Sequence, residues 1–381
     1  MKIGIVCYPT FGGSGVVATE LGRYFAQKGH EAHFITYDQP VRLNALEKNI
    51  FYHEVSMHDY PLFHYQPYEL ALSSKMVQTI KKWKLDVLHV HYAIPHAYAA
   101  HMAKLILAEE EIHIPVVTTL HGTDITLVGR NPIYRDAVNF SINSSDVVTS
   151  VSQSLKDDTL ALFNIKKEIE VIPNFIDRTI YEVEKPCLRK QFAPDGERII
   201  THISNFRPVK RLADIIRVFA GVRANFEAKL LMVGDGPDKE KARALAVELG
   251  VAEDVVFTGK VIDIDRVLRC SDIFILPSEK ESFGLAALEA MACGVPIISS
   301  NTGGLSEVNL HGKTGFTADV GDVASMTQYI LEIFGNPVLE ETLRVGAKRQ
   351  SLRYDIANIA PMYEEVYERV IQSAAVLKRL R

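Results

Sequence analysis

Cysteine is scarce in this 381-residue chain, and long apolar runs are missing from it. The four cysteines, Cys7, Cys187, Cys270 and Cys293, have no paired spacing, which predicts reduced thiols in a cytosolic protein. No run of about 18 apolar residues occurs, so we expect no membrane-spanning helix. The N-terminus enters a predicted strand at once, without a basic region and a long apolar segment. We therefore expect no signal peptide and a cytoplasmic location.

The chain also lacks an excess of positive charge. Lys and Arg number 42 against 47 Asp and Glu, which gives a net charge of −5. This balance argues against nucleic acid or an anionic membrane as a partner. Anionic substrates must therefore be held by local groups. The length and the 47% hydrophobic content predict two domains, each with its own core.

Short apolar runs alternate with helical patterns, which predicts α/β domains built on doubly wound parallel sheets. The first domain is predicted at 1–173 and the second at 174–354, with an amphipathic helical tail at 355–381 that packs back on the first domain. Two such sheets facing a central cleft would bind ligands beyond the carboxyl ends of their strands. The predicted strands are 2–8, 31–37, 86–91, 115–121, 146–150, 170–172, 199–204, 229–233, 255–258, 273–277, 296–300 and 315–318.

A glycine loop follows the first predicted strand. Gly12, Gly13, Ser14 and Gly15 lead into a predicted helix, and such a loop lets backbone N–H groups approach a phosphate. The same residues fit a dinucleotide fingerprint with Asp38 as its acidic residue, although the first glycine comes late after the strand. A nucleotide-sugar phosphate loop, a nicotinamide site and a simple tight turn all stay open here.

The strongest motif places Glu281 and Glu289 eight positions apart around the start of a predicted helix. The backbone N–H groups of Phe283, Gly284 and Leu285 should be free at that start and available to a diphosphate. A carboxylate beside a phosphate site is favourable when it accepts hydrogen bonds from sugar hydroxyls. The alternative is that both glutamates are ordinary helix charges.

This block resembles the retaining GT-B glycosyltransferases of family 4, and the resemblance covers essentially the whole chain. It implies two Rossmann-like domains facing a cleft, with the acceptor bound by the first and the nucleotide sugar by the second. It also implies that no metal or other cofactor is needed. The other motifs that carry it are the glycine loop, Leu120-His121-Gly122-Thr123, Pro173-Asn174, Val233-Gly234-Asp235-Gly236-Pro237, Gly303-Gly304 with Glu307, and Gly312-Lys313-Thr314-Gly315.

The resemblance also implies roles for individual residues in donor binding. Glu289 would hold the ribose hydroxyls, and Glu281 would hold the transferred sugar. Lys210 would bind the diphosphate together with an Arg that the family carries five residues earlier. Asn205 occupies that position here, so we expect Arg207 to supply the second cation. The donor site would be completed by Gly12, Gly13, Asn205, Phe283, Gly284 and Leu285.

The same likeness predicts that His121, Arg207, Lys210 and Glu281 support catalysis. His121 would contact the transferred sugar, although a histidine that ends a strand also has a structural interpretation. Catalysis would be front-face substitution, in which the leaving diphosphate takes the proton of the acceptor. The histidines at 89, 91, 96 and 101 invite a metal interpretation, but no Cys, Asp or Glu completes a ligand set, and we expect no metal.

The resemblance is strongest to family members that transfer N-acetylglucosamine from UDP-GlcNAc to L-malate, the first step of bacillithiol synthesis. The predicted acceptor residues are Ser14, Tyr92, Thr119 and Arg135, with Arg130 as a weaker candidate for the carboxylate. Another family 4 enzyme with a different small or lipid acceptor remains an alternative. An NAD-dependent oxidoreductase and a sugar-binding protein are alternatives from other classes. A homodimer is expected, because homodimers are the most frequent oligomers of soluble proteins.

Overall fold

The computed structural model describes residues 1–10, 12–57, 64–182 and 188–379. The chain divides into two compact units, one of residues 1–174 and 356–381 and the other of residues 175–355. The predicted domain boundaries each differ from these by one residue. Cys187 lies outside the described residues, and the other three cysteines are free thiols. No described helix is long and apolar enough to cross a membrane.

The first unit is built on a seven-stranded parallel sheet in the order β3-β2-β1-β4-β5-β6-β7. The order reverses between β1 and β4, which is the place where doubly wound sheets bind ligands. The strands are β1 Lys2–Val6, β2 Glu31–Thr36, β3 Ile50–Glu54, β4 Val87–His91, β5 Val116–Leu120, β6 Val147–Ser150 and β7 Ile169–Val171. The helices that follow them are α1 Gly13–Gln27, α2 Tyr68–Trp83, α3 Tyr98–Ala108, α4 Pro132–Ser144 and α5 Gln153–Leu162.

The second unit repeats this plan with a six-stranded parallel sheet in the order β10-β9-β8-β11-β12-β13. Its order reverses between β8 and β11. The strands are β8 Arg198–Ser204, β9 Ala228–Gly234, β10 Val255–Gly259, β11 Ile273–Leu276, β12 Ile297–Ser300 and β13 Gly315–Ala318. The helices are α6 Arg178–Glu182, α7 Arg189–Phe192, α8 Leu212–Arg223, α9 Lys239–Glu248, α10 Ile264–Leu268, α11 Leu285–Ala292, α12 Leu305–Val308, α13 Val323–Gly335 and α14 Pro337–Ser351.

Apolar strands buried on both faces hold each unit together. The central strands β4, β5 and β11 are buried at every position, as parallel sheets covered by helices require. In the first unit α2 and α3 pack against one face of the sheet. In the second unit α8 and α13 pack over β8, β9 and β11. These cores fix the strand ends from which the candidate site residues project.

The C-terminal tail is one helix, α15 (Ile356–Arg379), and it belongs to the first unit. Tyr363 and Tyr367 on this helix are the largest fully buried side chains of the described chain. Tyr367 packs against Phe25 of α1, with 5.4 Å between the ring centroids, and its hydroxyl hydrogen-bonds His89 Nδ1 at 2.6 Å. The chain therefore runs through the whole second unit before it returns to the first.

Twelve predicted strands are confirmed, and one strand was missed. The missed strand, β3, lies at the edge of the first sheet, beside β2, and its three central residues are only half-buried. Its apolar run is only Ile50-Phe51-Tyr52, followed by His53 and Glu54, which is shorter than the runs of four or more apolar residues that indicate a buried strand.

Candidate active site

The carboxyl ends of the central strands carry the candidate residues in both units. In the first unit the glycine loop follows β1, His91 ends β4, and His121 follows β5 directly. In the second unit, Lys210 lies in the loop that follows β8, and Glu281 lies in the loop that follows β11. Each set thus lies at the point where the strand order of its sheet reverses.

Lys210 and Glu281 form a close ion pair in the second unit. The Nζ atom of Lys210 lies 2.5 Å from Glu281 Oε2, and both side chains are largely buried. The hydroxyl of Ser278 also donates to Glu281 Oε2, at 3.3 Å. The structure therefore brings together the predicted diphosphate cation and the predicted sugar-binding carboxylate.

A glycine pair fixes the backbone of Glu281. The N–H of Gly304 donates to the Glu281 carbonyl at 3.0 Å. Gly303 has φ +55°, and a Cβ atom built there would lie 2.1 Å from the same carbonyl oxygen. Only glycine allows this approach, because the backbone conformation and the available space both exclude a side chain. The Gly303-Gly304 motif thus acts through the position of Glu281.

The start of α11 presents free backbone donors. The N–H groups of Phe283, Gly284 and Leu285 donate no hydrogen bond to the described residues. Gly284 adopts φ +90°, which turns the chain into the helix. Phe283 is buried, and its ring meets the Tyr354 ring edge-on at 5.4 Å. An anion placed there would meet both the N–H groups and the positive end of the helix dipole.

Glu289 lies on the same helix and is 5% exposed. The Tyr181 hydroxyl donates to Glu289 Oε1 at 3.0 Å. Tyr181 comes from α6, far from Glu289 in the sequence, and sequence reasoning missed it. No local motif marks this tyrosine, because its contact depends on how α6 packs on α11.

Arg207 and Asn205 are placed differently from Lys210. Both are exposed, whereas Phe206 between them is buried. Arg207 has no ion pair among the residues that the structure describes. The structure therefore leaves this guanidinium available to an anion but does not bring it to the Lys210–Glu281 pair. Its role as the second cation stays a prediction.

The glycine loop of the first unit begins α1. Gly12 precedes the first turn, and Gly13 is the first residue of the helix. A Cβ atom on Gly15 would lie 2.6 Å from the Tyr8 carbonyl oxygen, so glycine allows the helix to start close to the end of β1. Ser14 Oγ lies 2.7 Å from Tyr92 Oη. Two predicted acceptor residues are thereby brought together.

His121 is buried beside these residues and is held on two sides. Its Nε2 atom lies 2.8 Å from His91 Nδ1, and its ring centroid lies 5.2 Å from that of Tyr92. Asp124 accepts the N–H groups of His121 and Gly122 and also that of Ala93. This buried carboxylate, which sequence reasoning missed, ties the loops after β4 and β5 together. Burial raises the pKa of Asp124 to about 6.

Burial keeps the histidines of this region neutral at pH 7. It lowers the pKa of His121 and His89 to about 3 and that of His96 to about 4, and it holds the pKa of His91 well below its usual value. Nearby histidines lower these values further, except at His96. Within the described part of the chain, no group of three or more His, Cys, Asp or Glu could hold a metal ion.

The other two predicted acceptor residues lie in less suitable positions. Thr119 is fully buried, and its hydroxyl is bonded to His89 Nε2 and to Thr149 Oγ1, each at 2.7 Å. Arg135 is exposed on α4, where it donates to the carbonyl of Leu162 at 3.1 Å. Neither side chain contacts Ser14 or Tyr92 in the described structure. Their acceptor roles stay predictions, and the geometry disfavours Thr119 more strongly.

Comparison with known protein families finds two matches. Residues 11–179 match the family model described as Glycosyltransferase Family 4, and residues 185–350 match the one described as Glycosyl transferases group 1. Among curated relatives, the N-acetyl-alpha-D-glucosaminyl L-malate synthase of Bacillus anthracis is 44% identical over 375 residues. These residues span 98% of this chain and 98% of that relative.

Solved structures share the fold over nearly the whole chain. Sucrose-phosphate synthase from Thermosynechococcus elongatus matches with a TM-score of 0.79 at 18% identity, covering 98% of this chain and 100% of that one. Anabaena HepE, solved in complex with UDP and glucose, matches with a TM-score of 0.80 at 20% identity, covering 97% and 100%. At such identities the likeness concerns the fold alone.

Proposed function

The chain belongs to the GT-B glycosyltransferases of family 4, and we propose that it transfers N-acetylglucosamine from UDP-GlcNAc to the hydroxyl of L-malate. The products are UDP and GlcNAc-α-malate, and the reaction opens bacillithiol synthesis. The observation that carries this proposal is the 44% identity to a GlcNAc-malate synthase over 98% of both chains. The family assignment also replaces the nicotinamide interpretation of the glycine loop.

We propose that the second unit binds the donor. Glu289 accepts hydrogen bonds from the ribose hydroxyls, and Glu281 accepts them from the sugar. The diphosphate is bound by Lys210, by Arg207 and by the free N–H groups at the start of α11. The Lys210–Glu281 pair supports this assignment, since the ammonium contacts the predicted sugar-binding carboxylate, which lies four residues before the first residue of α11. Gly12 and Gly13 of the first unit keep their predicted part in donor binding, for which the Gly12 N–H must exchange its hydrogen bond with the Thr10 hydroxyl, at 3.4 Å, for one with the donor.

The proposed reaction is a substitution on one face of the sugar. The bond between the anomeric carbon and the diphosphate oxygen breaks as the malate hydroxyl attacks from the same side. The departing phosphate oxygen takes the hydroxyl proton, so no protein base is required. Lys210, Arg207 and the N–H groups at the start of α11 stabilise the charge that develops on the diphosphate. The configuration at the anomeric carbon is retained.

We propose that the first unit binds malate. Ser14 and Tyr92 provide neighbouring hydroxyls 2.7 Å apart, with the His121 ring beside Tyr92. Hydroxyls and loop N–H groups suit one carboxylate, and the guanidinium of Arg135 suits the other. To bind malate, Arg135 must exchange its bond with the Leu162 carbonyl for one with the acceptor.

A panel of acceptors tests the function directly. The protein is incubated with UDP-GlcNAc and L-malate, D-malate, lactate or glycerol, while UDP release and product mass are followed. We expect a GlcNAc-malate product with L-malate and much slower turnover with lactate, which lacks the second carboxylate. Equal turnover with lactate or glycerol would contradict a dicarboxylate acceptor and favour another family 4 reaction.

Arg135→Ala locates the acceptor site within that assay. We expect the KM for malate to rise at least tenfold, since a bidentate charged contact contributes roughly 1.5–3 kcal/mol. Slow hydrolysis of UDP-GlcNAc should stay unchanged. Arg130→Ala is the matched control, because Arg130 is also exposed and lies before the same helix. If only Arg130→Ala raises the KM, the carboxylate contact belongs to Arg130.

The remaining proposals concern the setting of the reaction. UDP-GlcNAc and malate are cytoplasmic metabolites, and this supports a cytoplasmic location. The charge on the diphosphate is stabilised by Lys210, Arg207 and the start of α11 in place of a metal ion. We therefore propose that no metal or other cofactor is required. We also propose a homodimer, the commonest assembly of soluble enzymes, which light scattering coupled to size exclusion can test.

A further inference from the structure

The ring of His202, a buried residue of β8, forms a hydrogen bond at each of its nitrogens. Nδ1 lies 2.9 Å from the carbonyl oxygen of Ile275, and Nε2 lies 2.7 Å from Ser204 Oγ. A carbonyl oxygen can only accept, so Nδ1 carries a proton. Burial lowers the pKa of His202 to about 4, so the ring is neutral at pH 7 and Nε2 carries no proton. The Ser204 hydroxyl therefore donates to Nε2.

Ser204 continues this series of hydrogen bonds into the loop after β8. Because its proton is directed at His202, its oxygen is left as an acceptor, and it accepts the N–H of Phe206 at 3.2 Å. The direction of every bond in the series, from Ile275 to Phe206, is thus determined by the carbonyl oxygen at its beginning.

The backbone at Phe206 needs this support. Phe206 is fully buried and has φ +43°, a conformation that is uncommon and strained for a bulky residue. Its N–H is held by Ser204, and its carbonyl accepts the N–H of Asp238 at 3.0 Å. A Cβ atom on Gly236 would lie 2.1 Å from the Asn205 carbonyl oxygen, so the glycines after β9 allow this close approach. The turn is therefore fixed from both sides.

The turn determines how the chain continues to the predicted diphosphate cations. Arg207 follows Phe206 directly, and the Val209 carbonyl then accepts the N–H of Glu279, at 2.8 Å, in the loop after β11. The bond from His202 to Ile275 lies one residue beyond Phe274, which is paired with β8. His202 thus connects the two central strands at the end from which both loops leave.

We propose that His202 and Ser204 are positioning residues that hold the turn at Phe206 and so direct Arg207 towards the diphosphate of the donor. Both act through the Phe206 backbone. The effect on the donor rests on the proposed contact between Arg207 and the diphosphate. The directions of the hydrogen bonds depend only on the packing of the second unit.

Nitrogen NMR tests the hydrogen bonds in the free protein. Long-range proton–nitrogen spectra of protein labelled with 15N-histidine distinguish Nδ1–H from Nε2–H rings, and the signals that a His202→Gln variant loses identify His202. We expect Nδ1–H in the wild type and also in Ser204→Ala, because the Ile275 carbonyl remains. The Nε2 signal should move downfield in Ser204→Ala, where it loses its donor, and return in Ser204→Thr, which restores a hydroxyl.

Titration with UDP-GlcNAc tests the positioning of Arg207. Ser204→Ala should raise the Kd roughly three- to tenfold, as Arg207→Ala does, and should likewise make binding less sensitive to salt. Ser204→Thr should recover most of the affinity. The double variant should bind no more weakly than Arg207→Ala alone, because both changes act through one guanidinium.

Thr201→Val is the matched control. It removes another hydroxyl hydrogen bond of β8, the one between Thr201 Oγ1 and Ser271 Oγ at 2.6 Å, and it does not involve the loop. A general weakening of the strand would affect both variants, whereas loss of positioning would affect Ser204→Ala alone. We expect Thr201→Val to keep the wild-type Kd and salt dependence.

Several results would overturn the inference. Nε2–H on wild-type His202, or an unchanged Nε2 signal in Ser204→Ala, would refute the hydrogen bonds. Wild-type affinity of Ser204→Ala together with an impaired Arg207→Ala would refute the positioning role. Wild-type affinity of both variants would refute the contact between Arg207 and the diphosphate, and the positioning role with it. A protein with all the expected donor effects that transfers no sugar to malate would instead refute the proposed acceptor alone.

Discussion

Glu289 is a buried carboxylate that accepts a hydrogen bond from the Tyr181 hydroxyl. A carboxylate in this position needs hydrogen-bond donors to offset its lost hydration. Tyr181 supplies one of them to Oε1. In the proposed complex the ribose hydroxyls supply others, and this makes Glu289 the residue whose removal should reveal the nucleoside site.

Replacing Glu289 by Ala should weaken UDP and UDP-GlcNAc to a similar extent, since both contain the ribose. Loss of a charged hydrogen-bonding partner corresponds to roughly 1.5–3 kcal/mol, or about 10- to 150-fold in Kd. Calorimetric titration of both ligands measures the change. Glu341→Ala, an exposed glutamate of the same unit, is the control. Unchanged UDP binding by Glu289→Ala would place the ribose elsewhere.

Tyr181→Phe provides a graded version of the same experiment. It removes the hydroxyl but keeps the ring, so the oxygen of Glu289 loses one donor without a cavity being formed. We expect UDP binding to weaken by about 1 kcal/mol, close to fivefold. Combining Tyr181→Phe with Glu289→Ala should add little to the effect of Glu289→Ala alone, because both changes act through one group.

Arg207 illustrates how far the sequence can specify a residue. The motif around Lys210 predicts that a second cation is needed, and Asn205 occupies the position where the family has one. Arg207 is nearby in the sequence, exposed and without an ion pair among the described residues. Chemistry alone could therefore nominate it, but the direction of its side chain depends on the turn around Phe206, which no pattern predicts.

Arg207→Ala should weaken UDP-GlcNAc binding and make it less sensitive to salt, because an exposed cation acts on the diphosphate through a screened charge. We expect a three- to tenfold rise in Kd, on the order of 1 kcal/mol. Titrations at low and high ionic strength measure both effects. Arg349→Ala is the control, since Arg349 is exposed on α14. If the two variants behave alike, Arg207 is not the second cation.

Thr119 shows a limit of reasoning from strand alternation. Residues 119 and 121 share one face of the predicted strand 115–121, and residues on one face can meet a common ligand. In the structure the threonine side chain lies beneath the surface, enclosed by His89 and Thr149. Alternation predicts the face but not the depth, since depth depends on which neighbouring strands and helices cover that face.

At the scale of elements, the sequence predicts the loops that follow the strands better than it predicts the contacts between those loops. The motif around Glu281 predicted a helix start at the position where α11 begins, Leu285. The motif Gly303-Gly304 was identified, but its packing against the Glu281 carbonyl was not. Such a contact joins the loops after β11 and β12, and it follows from their adjacency in the sheet.

Gly303→Ala should therefore damage the donor site as well as the fold. A methyl group at this position conflicts with the Glu281 carbonyl, so the loop bearing Glu281 must move. We expect a loss of more than 2 kcal/mol in the free energy of unfolding and weaker UDP-GlcNAc binding. Chemical denaturation and titration measure these two quantities.

Gly312→Ala is the matched control for that experiment. Gly312 has φ +72°, and a Cβ atom there would meet nothing within 4 Å. It should lose only about 1–2 kcal/mol from backbone strain and keep its donor affinity. Equal effects of the two substitutions would show that the contact with Glu281 has no influence on the site.

At the scale of the whole molecule, buried histidines are distributed unevenly between the units. Among the described residues, the first unit contains His33, His89, His91, His96 and His121, all fully or nearly fully buried. The described part of the second unit contains one buried histidine, His202, whose pKa is lowered by burial to about 4. The sequence revealed several histidines in one region. It could not reveal that the returning helix α15 encloses His89, since that contact spans 278 residues.

This distribution predicts that acid destabilises the first unit more than the second. The folded pKa values of about 3 to 4 lie below the unfolded value near 6.5, so below pH 6.5 protons bind mainly to the unfolded chain. The stability from each neutral histidine is therefore present above pH 6.5. It falls by up to about 1.4 kcal/mol per pH unit as the pH decreases towards 4.

Asp124 acts in the opposite direction, since its pKa is raised to about 6 in the folded protein from an unfolded value near 3.8. Between pH 3.8 and about 6 this carboxyl group takes up a proton on folding, and the resulting gain in stability offsets the loss from about one histidine. The remaining excess of buried neutral histidines still makes the first unit the more acid-sensitive one.

Trp83 is the single tryptophan of the chain and lies in the first unit, so its fluorescence follows the unfolding of that unit alone. Circular dichroism follows both units. Denaturant titrations should give a Trp83 midpoint that is constant from pH 8 to 7 and falls steeply from pH 6.5 to 5. The dichroism signal should then separate into an early phase that coincides with Trp83 and a later phase from the second unit. A Trp83 midpoint that stays constant down to pH 5 would show that the histidines of the first unit are not buried as neutral groups.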